Sequence, residues 1–340
     1  MQASFDKHIL HFKTPARTSR GAYTDKEIYI LSFTADGKTF KSEAAPLPDL
    51  SIDDTSKLDA LLHDICRAWH EGFTVQQLNE QLSLSRFPSV LFALECIEKQ
   101  ILTGVPGLIY PSPFTQKQKG IAINGLVWMA EATNMLSQAE EKISSGYNCV
   151  KMKIGALDFD EECRVLEALR KKYSAFALEL RVDANGAFHP DDALAKLKDL
   201  SRFELHSIEQ PVKAGQWDLM ARLCAESPLP IALDEELIGL KVEEKGHTLM
   251  KTIRPQYLIL KPTLLGGFRA SDAWIALAGK YDAGYWVTSA LEGNIGLNAI
   301  AQYAATLPVT LAQGLGTGAL YTNNFESHSV IKDGHLYFVG

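Results

Sequence analysis

The chain has 340 residues, of which 46% are hydrophobic and 22% are charged, and its formal net charge is −7. This length predicts one large barrel or, more readily, two unequal domains, and the composition is that of an ordinary soluble globular protein. The acidic balance, with Lys and Arg scattered rather than gathered into a stripe, argues against a nucleic-acid partner.

The first third of the chain carries mixed β and α signals. Residues 28–34 form a β-rich run, the turn pair Asp36-Gly37 follows, and residues 39–43 would form the returning strand. Apolar residues recur at spacings of three and four over residues 56–70 and 89–103, which predicts two helices. We therefore expect a small antiparallel meander accompanied by helices.

After about residue 119, short apolar runs alternate with amphipathic segments, which is the pattern of a parallel sheet built from βα units. The candidate strands end at residues that follow one another at intervals of 25 to 30 positions: Lys153, Asp183, Glu209, Asp234, Lys261, Ser289 and Gly314. A further strand over residues 121–126 would complete eight. The near-constant interval favours a closed (β/α)-barrel over a doubly wound sheet, and the strand ends of such a barrel meet around one mouth.

Three carboxylates end three consecutive strands of this prediction, at Asp183, Glu209 and Asp234. Brought together without a cation, they would repel one another and raise their pKa values. Oxygen ligands at this spacing favour Mg²⁺, for which Mn²⁺ can substitute, over zinc, which prefers His or Cys.

Lysines flank the acidic trio along the sequence. Lys151 and Lys153 share one face of the preceding strand, since residues i and i+2 point the same way, and both are expected to point into the barrel. Lys261 ends the strand that follows the trio, so a metal-bound substrate would have a lysine on either side. Burial and neighbouring positive charge can lower the pKa of a lysine enough for it to act as a base, here on a proton next to a carboxylate, with the metal stabilising the enediolate.

The motifs Lys-x-Lys, Asp-x-Asn, Glu-Gln-Pro, Asp-Glu and Lys-Pro at these intervals resemble the muconate-lactonising subgroup of the enolase superfamily. The resemblance covers nearly the whole chain and implies an α/β fold, a (β/α)-barrel of the enolase type with an N-terminal α+β capping domain. It implies that residues 1–118 form the cap, 119–317 the barrel, and 318–340 a segment that returns to the cap. Residues 41–48 are similar to the family's Gly-Glu-x-x-Pro turn, and residues 17–24, with Gly21 as a hinge, correspond to its loop over the barrel mouth.

The same resemblance implies the roles of the charged residues. It makes Lys153 the base, Lys261 the opposing cation that stabilises the enediolate, and Lys151 a support for Lys153. It makes Asp183, Glu209 and Asp234 the magnesium ligands.

Two loops resemble in particular those of the o-succinylbenzoate synthases of that subgroup. They are residues 289–292 (Ser-Ala-Leu-Glu) after strand seven and residues 313–318 (Gln-Gly-Leu-Gly-Thr-Gly) after strand eight. The strand-eight loop is small and neutral, and it lacks both the Asp-x-Asp of dipeptide epimerases and the acid of muconate cycloisomerases. The resemblance implies substrate contacts at Ser289, Gly314, Leu315 and Asn185. It also implies a carbon–oxygen lyase that dehydrates the small-molecule carboxylate 2-succinyl-6-hydroxy-2,4-cyclohexadiene-1-carboxylate, with syn geometry, to o-succinylbenzoate in menaquinone biosynthesis.

Other interpretations stay open at this point. An N-succinylamino acid racemase or another epimerase could use the same metal and lysines, and a barrel that only binds a ligand would need none of them. Arg181 could act near the site or form a structural ion pair, and Gly266-Gly267 could cradle a phosphate or, more readily, allow a tight turn.

The compartment is predicted from what the chain lacks. Residues 1–10 do not have the order of a signal peptide, and no run reaches the roughly 18 apolar residues of a membrane span. Five widely spaced cysteines without a CxxC pair fit reduced core residues better than disulfides or a zinc site. We expect a cytoplasmic protein with no membrane partner.

Overall fold

Three antiparallel strands begin the chain in the computed structural model, which describes residues 2–18 and 21–340. They are β1 (Gln2–Thr18), β2 (Gly21–Ala35) and β3 (Lys38–Ala44), paired in that order. Asp36 and Gly37 join β2 to β3 with positive φ values of 51° and 73°, the conformation that a two-residue hairpin turn requires. The predicted meander is confirmed, and β1 extends it by a strand that the sequence patterns did not predict.

Three helices cover this sheet. They are α1 (Leu58–His70), α2 (Val75–Leu82) and α3 (Pro88–Thr103). Apolar side chains of α1 and α3 pack against β2 and β3, which confirms the two predicted helices. We call this N-terminal unit of three strands and three helices the cap.

Short strands then alternate with helices along the rest of the chain. The strands are β4 (Ile121–Ala122), β5 (Gly125–Val127), β6 (Cys149–Lys153), β7 (Glu179–Asp183), β8 (Ser207–Glu209), β9 (Ile231–Leu233), β10 (Tyr257–Leu260) and β11 (Gly284–Val287). The helices are α4 (Ala132–Ser144), α5 (Phe159–Lys172), α6 (Ala193–Ser201), α7 (Trp217–Glu226), α8 (His247–Ile253), α9 (Pro262–Leu265), α10 (Phe268–Lys280) and α11 (Asn294–Ala304). Strands β5 to β11 form one parallel sheet in sequence order, which is the arrangement of a (β/α)-barrel.

Backbone hydrogen bonds around Gln313 and Gly314 join the two edges of this sheet. The amide of Gly314 donates to the carbonyl of Val287 at 2.8 Å, and the amide of Asn124 donates to the carbonyl of Gln313 at 3.0 Å. The predicted eighth strand therefore consists of two bridging residues rather than a long run. It connects β11 to the segment before β5, so the sheet curves into a barrel.

The first barrel strand differs from the prediction. Residues 121–126 were expected to form one strand, but Ile121 and Ala122 pair with a C-terminal hairpin, and the barrel strand begins at Gly125. The hairpin consists of β12 (Ser329–Lys332) and β13 (His335–Phe338). Between the barrel and this hairpin, the chain runs along the cap, where the amide of Thr322 donates to the carbonyl of His11 at 2.9 Å.

Side chains of the barrel strands alternate between the helices and the barrel interior. Val150 and Met152 of β6 belong to the apolar core between strands and helices, whereas Lys151 and Lys153 point inward, as predicted. The interior away from the mouth is filled by Ala232, Ile259 and Trp286. Charged side chains on the inner face are thus buried inside the barrel, where neighbouring charged groups determine their pKa values.

Membrane-spanning helices are not found in the described part of the chain, since no helix there is both long and apolar enough.

Candidate active site

Three carboxylates lie at the carboxyl ends of adjacent barrel strands. Asp183 ends β7, Glu209 ends β8, and Asp234 follows β9 directly. Asp183 and Glu209 are opposite one another in the parallel register. One oxygen from each of the three carboxylates lies within 4.8 Å of the others, and all three side chains are buried. The predicted convergence of strand ends thus brings these groups to one place.

Lysine ammonium groups bridge these carboxylates. The Nζ atom of Lys151 donates to Glu209 and lies 3.0 Å from Asp183 Oδ2, and the Nζ atom of Lys153 lies 2.5 Å from the same oxygen. On the far side of the trio, the Nζ atom of Lys261 lies 2.5 Å from Asp234 Oδ2. The three lysines and three acids therefore form one buried network across the strands β6 to β10.

The network shifts the pKa values of the three lysines in different directions. Burial lowers the pKa of Lys153, and the charges of Lys151 and Lys261 lower it further, which together outweigh the attraction of Asp183. The pKa of Lys151 is raised, because Asp183 and Glu209 overcome the effect of burial, and that of Lys261 is raised by Asp234 and its neighbour Glu235. Lys153 is thus the lysine that most readily gives up its proton.

The lysines compensate the three acids unequally. Burial, together with repulsion from Asp183 and Asp234, raises the pKa of Glu209 to about 7. The pKa of Asp183 is held well below its usual value, because Lys151 and Lys153 outweigh its burial. Glu209 Oε1 and Asp234 Oδ1 are buried and have no hydrogen-bond partner among residues 2–18 and 21–340.

These unpartnered oxygens bear on whether a metal ion fits. A buried carboxylate oxygen without a donor is costly, and a cation between the acids would satisfy both oxygens and relieve their repulsion. The donors are carboxylates alone, which suits a hard cation such as Mg²⁺ and does not suit zinc. Asp183, Glu209 and Asp234 thus form a donor set that fits a hard divalent cation.

A cavity opens from this network towards the cap. The lysines form its floor, and backbone and small side chains of the strand-seven and strand-eight loops form one side, including Ser289, Gly314 and Gly316. Its apolar walls come from several elements: Leu47 and Leu50 after β3, Leu126 and Trp128 at β5, and Ala290 and Leu291 after β11. Thr18 and Tyr23, at the tip of the hairpin between β1 and β2, also line it. The cavity therefore combines a charged floor with apolar walls.

The expected substrate-contact residues divide into three groups. Ser289 and Gly314 line the cavity. Asn185 does not line it, but its Oδ1 accepts a hydrogen bond of 2.9 Å from Lys153 Nζ. Leu315 does not line the cavity: its side chain is fully buried in the barrel core, whereas its neighbours Gly314 and Gly316 face the cavity. Its contact with a substrate stays a prediction.

Several cavity residues were not found from the sequence. Thr317 lies in the strand-eight loop, and its hydroxyl is 2.6 Å from that of Ser289, so the two loops share a buried hydroxyl pair. Trp128 follows β5 immediately, so it lies at a strand end that the regular spacing of 25 to 30 residues could have indicated. Tyr23 belongs to the cap and lies in the segment 17–24 that the family resemblance places over the barrel mouth, although no single residue of that segment was named as a substrate contact.

The hairpin tip falls partly outside the described residues. Residues 17–24 were expected to form a loop over the mouth, with Gly21 as its hinge, and residues 19 and 20 of that segment are not described. The flanking residues are strand: Arg17 pairs with Ala22, and Thr18 pairs with Gly21. The described part of the segment is thus the end of a β-hairpin that reaches the cavity.

Two open interpretations from the sequence are decided by contacts. Arg181 is fully buried, pairs with Glu179 at 2.6 Å and stacks 4.2 Å from the ring of Trp286, so it is a structural group in the barrel interior. Gly267 adopts a positive φ of 104°, and the Glu95 carboxylate lies where a phosphate would need to bind, accepting from the amide of Phe268 at 2.5 Å. The glycine pair is therefore a turn around an acid of the cap.

Comparison with known proteins agrees with this geometry. Residues 134–339 match the family model described as Enolase C-terminal domain-like, which is more than half of the chain. The chain therefore belongs to that family of enolase-type barrels.

The similarity to individual proteins is more specific. The chain is 44% identical to an o-succinylbenzoate synthase of Desulfotalea psychrophila, over 99% of this chain and 98% of the relative. A crystal structure of MenC from the same organism superimposes with a TM-score of 0.87 and 42% identity, covering 99% of each chain. An L-Ala-D/L-amino acid epimerase of a Maribacter species is 26% identical over 89% of this chain and 86% of its own length.

Proposed function

We propose that this protein is an o-succinylbenzoate synthase, a hydro-lyase that removes water from 2-succinyl-6-hydroxy-2,4-cyclohexadiene-1-carboxylate in menaquinone biosynthesis. The observation that carries the proposal is Lys153, a buried lysine of lowered pKa between the carboxylate trio and the cavity. The 44% identity over nearly the whole chain to an enzyme of that name supports the choice of reaction.

Asp183, Glu209 and Asp234 would hold a magnesium ion, with Mn²⁺ as a substitute. When bound, the ion supplies positive charge that makes the proton next to a coordinated carboxylate more acidic. The same charge relieves the repulsion that raises the pKa of Glu209. A cation bound by these three acids would therefore both reduce the repulsion between them and promote the removal of the substrate proton.

Lys153 carries out both proton transfers. In its neutral form, Lys153 accepts the proton from the carbon next to the ring carboxylate, so a C–H bond breaks and an N–H bond forms. The same ammonium group then protonates the departing hydroxyl, the C–O bond breaks, and water leaves from the same face of the ring. Lys261, a cation of raised pKa on the other side, offsets the negative charge that develops on the substrate.

The remaining groups orient the base and receive the substrate. Asn185 and Asp183 hold the Lys153 ammonium group, and Lys151 keeps Asp183 and Glu209 compensated. The apolar walls at Leu50 and Trp128 suit the ring, and the hydroxyl groups of Ser289 and Thr317 offer donors to a second carboxylate. The aromatic product provides the driving force.

The proposal is tested by following the conversion of the cyclohexadiene substrate by ultraviolet absorbance, with Mg²⁺ and with chelator. The variants are wild type, Lys153→Ala, and Lys280→Ala as a matched control, since Lys280 is exposed at the end of α10. We expect turnover that needs metal, is lost in Lys153→Ala and is unchanged in Lys280→Ala. Folded wild type that is inactive in the presence of Mg²⁺ would contradict the proposal.

A racemase or epimerase acting on N-succinylamino acids is the second candidate. It is favoured by the presence of Lys153 and Lys261 in one cavity, because two lysines on opposite sides of a carbon can exchange its proton. Incubation with N-succinylamino acids in deuterated water distinguishes the two reactions. Solvent deuterium at the α-carbon of the enantiomer opposite to the one supplied would establish the second activity, and the absence of exchange would exclude it.

We place the protein in the cytoplasm. All five cysteines are buried and free, as expected of a chain that folds under reducing conditions. Division of the chain into a cap (1–118), a barrel (119–317) and a returning segment (318–340) remains part of the proposal, and the contacts between Thr322 and His11 support the return to the cap.

A further inference from the structure

Lys26 of the cap is a buried charged residue that the proposed reaction does not use. It lies on β2, three residues from Tyr23 of the cavity wall, and only 1% of its surface is exposed. Its Nζ atom donates a hydrogen bond of 2.6 Å to the carbonyl of Ala290 in the barrel. Burying an ammonium group is costly, so its contact with the barrel backbone needs an explanation.

The surroundings of Lys26 are acidic. Burial lowers the pKa of Lys26, and the nearby carboxylates of Glu292, Glu43 and Asp53 offset part of this effect. Glu292 binds Thr263 and the amide of Ala290, at 2.6 and 2.7 Å. The Lys26 side chain thus lies among a set of acids gathered between the cap and the barrel.

The contact of Lys26 is to the loop that forms one wall of the cavity. Ser289, Ala290 and Leu291 all line the cavity, and Leu291 has a left-handed φ of 63°. A non-glycine residue in that conformation is strained and stays there only where its surroundings hold it. The loop therefore depends on its anchors for the shape that it presents to a ligand.

The anchors of this loop come from four places. Glu292 binds the amide of Ala290, and Lys26 binds the carbonyl of the same residue. The hydroxyl of Tyr321 donates to the carbonyl of Leu291 at 2.6 Å, and Glu43 accepts from the amide of Gly293 at 2.6 Å. The amide of Ala290 is thus bound by Glu292 of the barrel, and its carbonyl is bound by Lys26 of the cap.

We infer that Lys26 is a positioning residue that holds the strand-seven loop, residues 289–291, against the cap and so sets the wall that contacts the substrate. The inference rests on the proposed function for its kinetic consequence. It does not involve the proton transfers, because Lys153 and the three acids lie at the ends of β6 to β9, whereas the loop that Lys26 holds follows β11. Loss of the ammonium group should therefore weaken substrate binding and leave the chemical step in place.

The test compares Lys26→Met with Glu95→Gln. Glu95 is a buried acid of the cap that also binds barrel backbone, at the amides of Phe268 and Arg269, away from the cavity. Both substitutions remove a buried charge at the same boundary, so both should lower the melting temperature. We expect only Lys26→Met to raise KM, by roughly tenfold or more as for a lost hydrogen bond to a charged group, with kcat within about threefold of wild type.

Hydrogen–deuterium exchange gives a readout that does not depend on the reaction. In Lys26→Met, peptides covering residues 288–293 should exchange faster than in wild type, whereas in Glu95→Gln the faster exchange should occur around residue 268. If Lys26→Met does not fold, Lys26→Gln, which keeps a shorter donor, is measured in the same two ways.

The outcomes separate this inference from the proposed function. An unchanged KM in a folded Lys26 variant, or unchanged exchange over residues 288–293, would overturn the positioning role. Wild type that fails to dehydrate the cyclohexadiene would refute the proposed reaction alone, and the exchange comparison would still decide the role of Lys26.

Discussion

Lys151 shares its carboxylate partners with the proposed metal ion. Its ammonium group lies within ion-pair distance of both Asp183 and Glu209, so it partly compensates these acids before any metal binds. It also competes with a divalent cation for the same oxygens. The residue therefore has opposite effects on the metal-free protein and on metal affinity.

The substitution Lys151→Met tests both effects. Removing one partner of a buried ionic network typically costs about 3 to 5 kcal/mol, so the melting temperature in chelator should fall clearly below that of wild type. The increase in melting temperature on adding millimolar Mg²⁺ should be larger than in wild type, because the competing ammonium group is gone. Thermal unfolding with and without metal measures both, with Lys280→Met as the control. A smaller metal-induced shift than in wild type would count against the trio as its ligands.

The protonation of Lys153 predicts how the rate depends on pH. Burial and the charges of Lys151 and Lys261 lower its pKa from the ordinary value of 10.5, and only the neutral amine can accept a proton. Below the pKa the amine is protonated, so kcat/KM should rise with pH and level off, with a midpoint below 10.5. The measurement is the pH profile of kcat/KM at saturating Mg²⁺. A profile that falls throughout with rising pH would exclude a neutral lysine as the base.

How far the sequence predicts the site depends on where each residue lies relative to a strand end. Lys153, Asp183 and Glu209 could be placed because a strand end fixes both the rim and the direction of a side chain. The sequence could not show which way Leu315 faces, because the eighth strand has only two bridging residues and no run of alternating apolar residues defines which side chains face the cavity. Lys26 gave no signal, since its partner is a backbone carbonyl 264 residues away.

At the level of elements, the strand-eight loop depends on close backbone packing. Gly314 is paired with Thr288, and a Cβ atom at Gly314 would lie 2.4 Å from the Thr288 hydroxyl oxygen. At Gly316, a Cβ would find its nearest atom at 3.6 Å, which is ordinary contact. The two glycines line the same cavity but differ in the room around them.

The pair Gly314→Ala and Gly316→Ala tests this difference. Overpacking at Gly314 should lower the free energy of unfolding by about 1 to 3 kcal/mol and shift the cavity wall, because the side chain of Thr288 must move. Gly316→Ala should keep wild-type stability within about 0.5 kcal/mol. Chemical denaturation of the two variants and wild type measures the change. Equal stability of both variants would mean that the barrel edge adjusts more freely than the close pairing suggests.

The cap elements were predicted unevenly for physical reasons. The strand β1 was missed because it is an edge strand with mostly exposed side chains, of which only Leu10 and Ala16 are buried, so its apolar alternation is weak. The helix α2 has a capping box in which Thr74 and Gln77 exchange hydrogen bonds, a local signal that was available in the sequence. Pairing of β4 with the C-terminal hairpin joins distant segments, which periodicity cannot reveal.

At the scale of the whole molecule, charged side chains of the cap form hydrogen bonds with backbone groups of the barrel across the boundary between the two units. Glu43 accepts from the amides of Gly293 and Gly296 at 2.6 and 2.9 Å, at the start of α11. Glu95 accepts from the amide of Phe268 at the start of α10. An anion at a helix N-terminus satisfies unpaired N–H groups and is favoured by the helix dipole. Two barrel helices therefore begin on acids that the cap supplies.

This sharing predicts that the cap and the barrel unfold together. Undocking the cap would leave the first turns of α10 and α11 without their anionic partners and would expose apolar surface of both units, so neither should be stable for long alone. Trp69 lies in the cap and the other four tryptophans in the barrel, so subtracting the fluorescence of Trp69→Phe from that of wild type isolates the cap. We expect the cap signal and far-ultraviolet circular dichroism to give the same melting temperature. In Glu95→Ala both should fall by the same amount, and a cap signal that melts several degrees earlier would show that the cap is an independent unit.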